Sequence, residues 1–279
     1  MTTPREIRIG HSPDPDDAFM FCALARGAVR IRDYAIKHVL EDIESLNLRA
    51  LKGDLEVTAI SAHAYLSLMD QYWVLSTGAS MGEGYGPVLV SRTPRSIDEL
   101  RGKRVAIPGE KTTAALLTWI YLREFEPVVR PFDKIFEAVA SGEAEAGVLI
   151  HEGQLTYASE GYAKVEDFGQ RWQKETGLPL PLGLDVVRSD LGMDLAREIN
   201  AALRASIDWA YENEDEALDY ALQFGRGLER EMGRRFVKMY VSDLTRDMGS
   251  RGVEALETLF ARGAEVGIIE EPPGLTLVS

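Results

Sequence analysis

"ELRGKRVAIPGEKTTAALLTWIYLREF", residues 99–125, decides the fold class. A short β-type run reaching Ile107 meets a Pro-Gly turn. An apolar segment of helical length then begins at Thr112 and Thr113. The next unit, "DKIFEAVASGEAEAGVLIH" (133–151), supplies a helix through Ile135, Phe136 and Val139, a stop at Gly142, an acidic link, and a strand ending at His151. The same grammar occurs earlier. "EIRIGHSPDPDDAFMFCALARG" (6–27) reads as a strand, a Pro-broken turn and an apolar helix, and "EDIESLNLRALKGDLEVTAIS" (41–61) as a helix, a Gly53 stop and a strand ending at Ser61. Strands alternating with helices predict an α/β protein with mainly parallel sheets, and two copies of the grammar predict two lobes.

From about Ser189 onward the pattern is helical. Leu195, Ile199, Leu203, Ile207 and Tyr211 recur every four residues, and further helices are expected at 214–224, 229–244 and 252–262. With no third sheet in prospect, these helices are expected to pack on an existing lobe. "GPVLVSRTP" (86–94) and "LPLGLDVVRSD" (180–190) are extended and Pro-flanked, suiting the two crossings between lobes. The expected division is a discontinuous large lobe, 1–93 with 188–279, around a small lobe, 94–187.

Composition narrows the function. The 279 residues are 45% hydrophobic, enough for a large core. A net charge of -14 without a basic stripe argues against nucleic acid. The single cysteine and four histidines give no metal-site spacing, so no metal is expected. No charged start leads into an apolar stretch with a cleavage site, and no run of 18 apolar residues occurs; the expectation is a cytoplasmic chain without membrane contact, as a monomer or homodimer.

Ligands of parallel α/β sheets bind beyond the carboxyl ends of strands or between domains. Both rules select the segments after the strand ends, two from each expected lobe. His151 is either a hydrogen-bonded histidine at a sheet edge or a general base whose ordinary pKa suits neutral pH. Glu152 is either a solvated carboxylate or a group that orients the ring. Thr112 and Thr113 are either plain helix caps or part of an anion site, formed with first-turn N–H groups and helped by Lys111. His11 and Ser12 are candidates for the cleft wall, whereas His63 reads as a capping or packing residue and His38 as structural or exposed. Asp14, Asp16 and Asp17 are expected to cap the first helix, because in the cleft they would oppose an anion. "GEGYGP" (82–87) lacks phosphate-loop spacing and reads as a hinge. No GxSxG elbow is present, which disfavours acyl-enzyme chemistry.

Together "IGHSPDPDDAF" (9–19), "GEGYGPVLV" (82–90), "PGEKTTAALL" (108–117) and "GVLIHEGQLTY" (147–157) resemble the 1,4-dihydroxy-6-naphthoate synthase family of the futalosine route to menaquinone. "EDIESLN" precedes the last three and "TGLPLPLG" follows them, so the resemblance spans nearly the whole chain. It implies a two-lobed fold similar to type II periplasmic solute-binding proteins. It also implies a lyase, working without metal or organic cofactor, that cleaves cyclic dehypoxanthinylfutalosine, an anionic small molecule. By the same resemblance His151 matches the catalytic base, Thr112 and Thr113 the paired substrate-binding threonines, and Ser61 a strand-end substrate contact; Ser12, from its place in the first loop, is expected as a further contact. The family often has Asn-Asp-Thr where this chain has Asp16, Asp17 and Ala18, and Lys where it has Ala59. Two other readings stay open: chorismate dehydratase of the same pathway, and a non-catalytic small-anion-binding protein.

Overall fold

The computed structural model describes residues 5–151, 153–225, 227–269 and 274–279. The chain begins with β1 (Arg5–His11), α1 (Pro15–Ala25), β2 (Tyr34–Leu40), α2 (Ile43–Ala50), β3 (Val57–Ser61), α3 (Ala62–Tyr65), β4 (Tyr72–Leu75), β5 (Ser80–Gly82) and β6 (Val88–Ser91). It continues through β7 (Arg104–Ile107), α4 (Thr113–Tyr121), β8 (Glu126–Val129), α5 (Ile135–Ala140), β9 (Ala146–Leu149), α6 (Gly153–Thr156), β10 (Ala163–Asp167), α7 (Phe168–Thr176) and β11 (Leu180–Arg188). Helices α8 (Met193–Glu212), α9 (Glu214–Ala221), α10 (Arg230–Tyr240), α11 (Asp243–Arg246) and α12 (Gly249–Glu265) lead to the closing strand β12 (Leu277–Val278).

These strands form two sheets. The larger has the order β12-β4-β11-β3-β1-β2, with β5 also paired to β11; the smaller has the order β10-β6-β9-β7-β8. Neither is mainly parallel, which corrects the expectation. Strands joined by helical crossovers are parallel, as β1 is with β2 and β7 with β8. The strands that enter from the other sheet, β6 and β11, run antiparallel to β9 and β3. A direct entry without a helical crossover favours that direction.

The same two strands shift the expected boundaries. Strand β6, within the expected 1–93 segment, belongs to the smaller sheet, and β11, within 94–187 but for Arg188, belongs to the larger one. The chain therefore leaves the large sheet just after Gly82 and the small sheet after Asp167.

One core forms where α1 meets α8, α9 and α10, through Phe19, Phe21, Leu203 and Leu218. A second joins the large sheet to α4, α7 and α12 through Tyr65, Leu116, Trp172 and Leu259. The third, smaller, lies beneath α5. There Gly147 of β9 is needed for close packing: a Cβ on it would lie 2.5 Å from Ile135 Cγ2. The helix expected over 229–244 breaks after Tyr240: Val241 turns extended, and the Ser242 N–H donates to the Thr245 hydroxyl at 3.0 Å at the start of α11. No helix among the described residues is long and apolar enough to cross a membrane.

Candidate active site

The loops after β1, β3, β7 and β9 bring Ser12, Ser61, Thr112, Thr113 and His151 to the wall of one cleft. It encloses about 770 Å³ of empty space, counting its open mouth. Both sheets contribute, and β11 and α10 complete the wall with Asp185 and Tyr240.

His151 stands just beyond β9 at φ 53, a left-handed conformation that costs a non-glycine residue roughly 1 kcal/mol or more. Its Nδ1 lies 3.3 Å from Oδ2 of Asp14, which is 2% exposed. A ring that donates from Nδ1 to a carboxylate has its lone pair on Nε2. Nε2 is buried and has no hydrogen-bond partner among the described residues. Phe132 packs against the imidazole edge to face, with ring centroids 4.9 Å apart. Gln154 of α6 lies 2.9 Å from the Tyr240 hydroxyl. In the amide orientation that satisfies its neighbours, its oxygen accepts from the Tyr240 O–H and the His151 N–H, and its nitrogen donates to the Gly86 carbonyl at 2.6 Å. The turn holding His151 is thereby tied to the C-terminal helices. Glu152 lies outside the described residues.

Ser12, on the cleft wall, is also engaged within the chain. Its hydroxyl donates to Asp14 Oδ2 at 2.5 Å and its N–H to Asp17 Oδ2 at 2.6 Å, so it braces the carboxyl that braces His151. His11 does not line the cleft. Its ring stacks on Phe21, its Nε2 lies 2.9 Å from His38 Nδ1, and burial pushes its pKa down to about 3.

Ser61 receives a hydrogen bond from Asn47 Nδ2 at 3.1 Å, which leaves its own proton free to donate. Thr112 caps α4, accepting from the Ala115 N–H, while its hydroxyl donates to the Gly109 carbonyl at 2.8 Å. The Thr113 hydroxyl donates to the Leu182 carbonyl at 2.7 Å, bridging α4 to β11. Both hydroxyl protons are thus committed within the chain. What remains for a ligand is the first turn of α4, where helix geometry supplies no acceptor to the leading N–H groups. Lys111 does not add its charge to the wall: its ammonium approaches Ser67 Oγ at 3.5 Å, and its N–H meets Glu44. His63, a packing residue, is buried with Nδ1 3.1 Å from the Thr112 carbonyl, and burial lowers its pKa to about 4.

Asp14, Asp16, Asp17 and Asp185 all line the cleft, which corrects the expectation that the first three cap α1. Asp14 occupies the N-cap position but makes no side-chain cap bond; Pro15 at N1 removes one of the N–H groups there. Burial, followed by the fields of Asp17 and Asp14, raises the Asp16 pKa well above the carboxylate range. Burial and then the neighbouring Asp185 carboxyl do the same for Asp17, and burial alone lifts Asp185 to about 8. The cleft therefore carries far less negative charge at neutral pH than its four carboxyls imply.

Sequence reading missed Asp185, Gln154 and Tyr240. A single Asp inside "LPLGLDVVR" was the visible signal for the first. The other two reach the cleft only through long-range packing.

A family model described as menaquinone biosynthesis matches residues 7–265. The chain is 41% identical over 267 residues to 1,4-dihydroxy-6-naphthoate synthase of Thermus thermophilus, covering 96% of this chain and 97% of that one. A crystal structure of an Archaeoglobus fulgidus protein superposes with a TM-score of 0.89 at 49% identity, covering 95% of this chain and 98% of that one. The alkanesulfonate-binding protein SsuA of Xanthomonas axonopodis pv. citri, at 13% identity, superposes with a TM-score of 0.70 over 100% of this chain and 98% of its own. That last likeness shows the fold: two α/β lobes of the periplasmic-binding-protein kind, with mixed sheets. Matched along nearly its whole length, the chain belongs to the 1,4-dihydroxy-6-naphthoate synthase family of menaquinone biosynthesis.

Proposed function

We propose that the chain is a cytoplasmic carbon–carbon lyase that converts cyclic dehypoxanthinylfutalosine to 1,4-dihydroxy-6-naphthoate, with His151 as general base. The observation that carries this reading is the pairing of His151 Nδ1 with buried Asp14, which leaves Nε2 as the proton acceptor. Nε2 takes a proton from a hydroxyl of the cyclic substrate; the O–H electrons form a carbonyl, the adjacent C–C bond breaks, and its electrons pass into the ring that becomes aromatic. Asp14 stabilises the imidazolium that results, which then returns its proton to the ring oxygen that received the electron pair, regenerating the base. Aromatisation drives the step, and the small hydroxyketone fragment departs.

A general base supplies about 10²- to 10⁴-fold, so positioning in the cleft must supply much of the remainder. The first turn of α4 holds the carboxylate of the anionic substrate, and Ser61 donates to it from β3. The glycines around Gly84, on the first link between the sheets, allow the lobes to move.

The test is incubation of the purified chain with cyclic dehypoxanthinylfutalosine and, separately, with chorismate, followed by mass spectrometry. Formation of the dihydroxynaphthoate from the first precursor alone supports the assignment. Dehydration of chorismate points to the neighbouring activity of the same pathway, and binding without turnover points to a receptor.

A further inference from the structure

Asp185 is a carboxyl set in the middle of an apolar strand, between Leu184 and Val186 of β11. It is 1% exposed and lines the cleft, yet neither of its oxygens has a hydrogen-bond partner among the described residues. Asn47, also buried beside the cleft, is by contrast satisfied, bonding to Ser61 through both ends of its amide. Across the ladder Asp185 faces Ala59, which offers neither donor nor charge. Among the described residues, the other titratable groups that share the cleft are Asp14, Asp16, Asp17, His151 and Tyr240, and neither Lys nor Arg lines it. Gly78 lies directly against the carboxyl: a Cβ there would sit 2.0 Å from Asp185 Oδ2. The absence of that side chain leaves the acid room beside the cleft.

An ionised carboxylate in such a place has nothing to balance it, and the low-cost form is the neutral acid. A neutral acid has one strong donor to offer, and a buried donor without a partner is expensive unless a ligand takes it. We propose that Asp185 is a specificity-determining residue, an uncharged carboxylic acid whose O–H donates a hydrogen bond to a carbonyl or hydroxyl oxygen of the bound ligand. It acts from the large sheet while His151 acts from the small one. This rests on the proposed lyase reading, in which the cyclic substrate presents oxygens to both walls. A donor placed on an oxygen that gains negative charge also favours the transition state. The rival, a cation held by Asp185 and Asp17, requires both to be ionised. Among the described residues no three His, Cys, Asp or Glu side chains are grouped to hold a metal ion.

Two measurements decide it. In the ligand-free chain at neutral pH, the infrared difference between wild type and Asp185→Asn should contain a protonated-carboxyl C=O band, and it should fade as pH passes about 8. A carboxylate band at neutral pH overturns the proposal. In turnover of the cyclic substrate, Asp185→Val should raise KM by about tenfold or more through loss of the donor, and Asp185→Asn, which restores one, should recover most of that loss. Asn performing as poorly as Val overturns the proposal. If the wild type leaves the cyclic substrate untouched, the lyase reading fails, while the infrared result still decides the state of Asp185.

Discussion

His151 Nδ1 stands 3.3 Å from Asp14 Oδ2, a contact between the turn after a small-sheet strand and the turn after a large-sheet strand. The pair joins the two halves of the cleft and leaves Nε2 as the imidazole nitrogen without a partner among the described residues. On the proposed mechanism, Asp14→Asn keeps the shape but removes the carboxyl that holds the tautomer and stabilises the imidazolium. Its kcat should fall by about 10²-fold or more, with KM changing much less. Steady-state kinetics on the cyclic substrate, beside a thermal melt to confirm folding, checks this.

Gly78 should tolerate no side chain. Its φ is +95, and an added Cβ would sit 2.0 Å from Asp185 Oδ2. Gly78→Ala should cost about 1–3 kcal/mol of stability and weaken substrate binding by displacing the acid. Denaturant melts and KM read the two effects separately.

Acid should destabilise the protein through its buried imidazoles. The His11 pKa is lowered to about 3 by burial and then by His38, whereas the unfolded chain binds that proton near 6.5. The stability His11 contributes is therefore complete above the unfolded value and is lost as pH falls toward 3. His11→Gln, neutral throughout, should be less stable at neutral pH because it loses the Phe21 stack, yet should show a shallower decline over that window. Melting temperature against pH for both chains gives the comparison.

Alkali should act through Asp185, with the opposite sign. Its folded pKa, about 8, lies above its unfolded value near 4, so the folded chain holds a proton that the unfolded chain has released. Stability falls as pH rises from about 4 to about 8 and then levels. Asp185→Asn removes this slope and should melt higher than wild type at pH 8 by roughly 2–4 °C or more.

The sequence made the strand–turn–helix units legible because each is local: "VAIPGEKTTAALL" carries its own stop and start signals. The crossing strands were harder. Val88–Ser91 and Leu180–Arg188 read as links, since their short Pro-flanked runs resemble connectors and their pairing partners are distant in the chain. Tyr34–Leu40 is an edge strand with a mixed burial pattern and no continuous apolar run to announce it. Within the site, His151, Thr112 and Ser61 were visible as polar residues where strands end. The acids were visible too but assigned to helix capping, because propensity ignores the histidine that packing brings to Asp14. The burial that raises the Asp185 pKa is a property of the folded cleft and is invisible in its neighbours along the strand.

The most direct test of the central claim is the turnover rate of His151→Ala on saturating cyclic dehypoxanthinylfutalosine. A general base at Nε2 predicts a fall of about 10²- to 10⁴-fold in kcat, with an unchanged melting profile and substrate still bound. A folded His151→Ala chain that turns over at close to the wild-type rate would contradict the account.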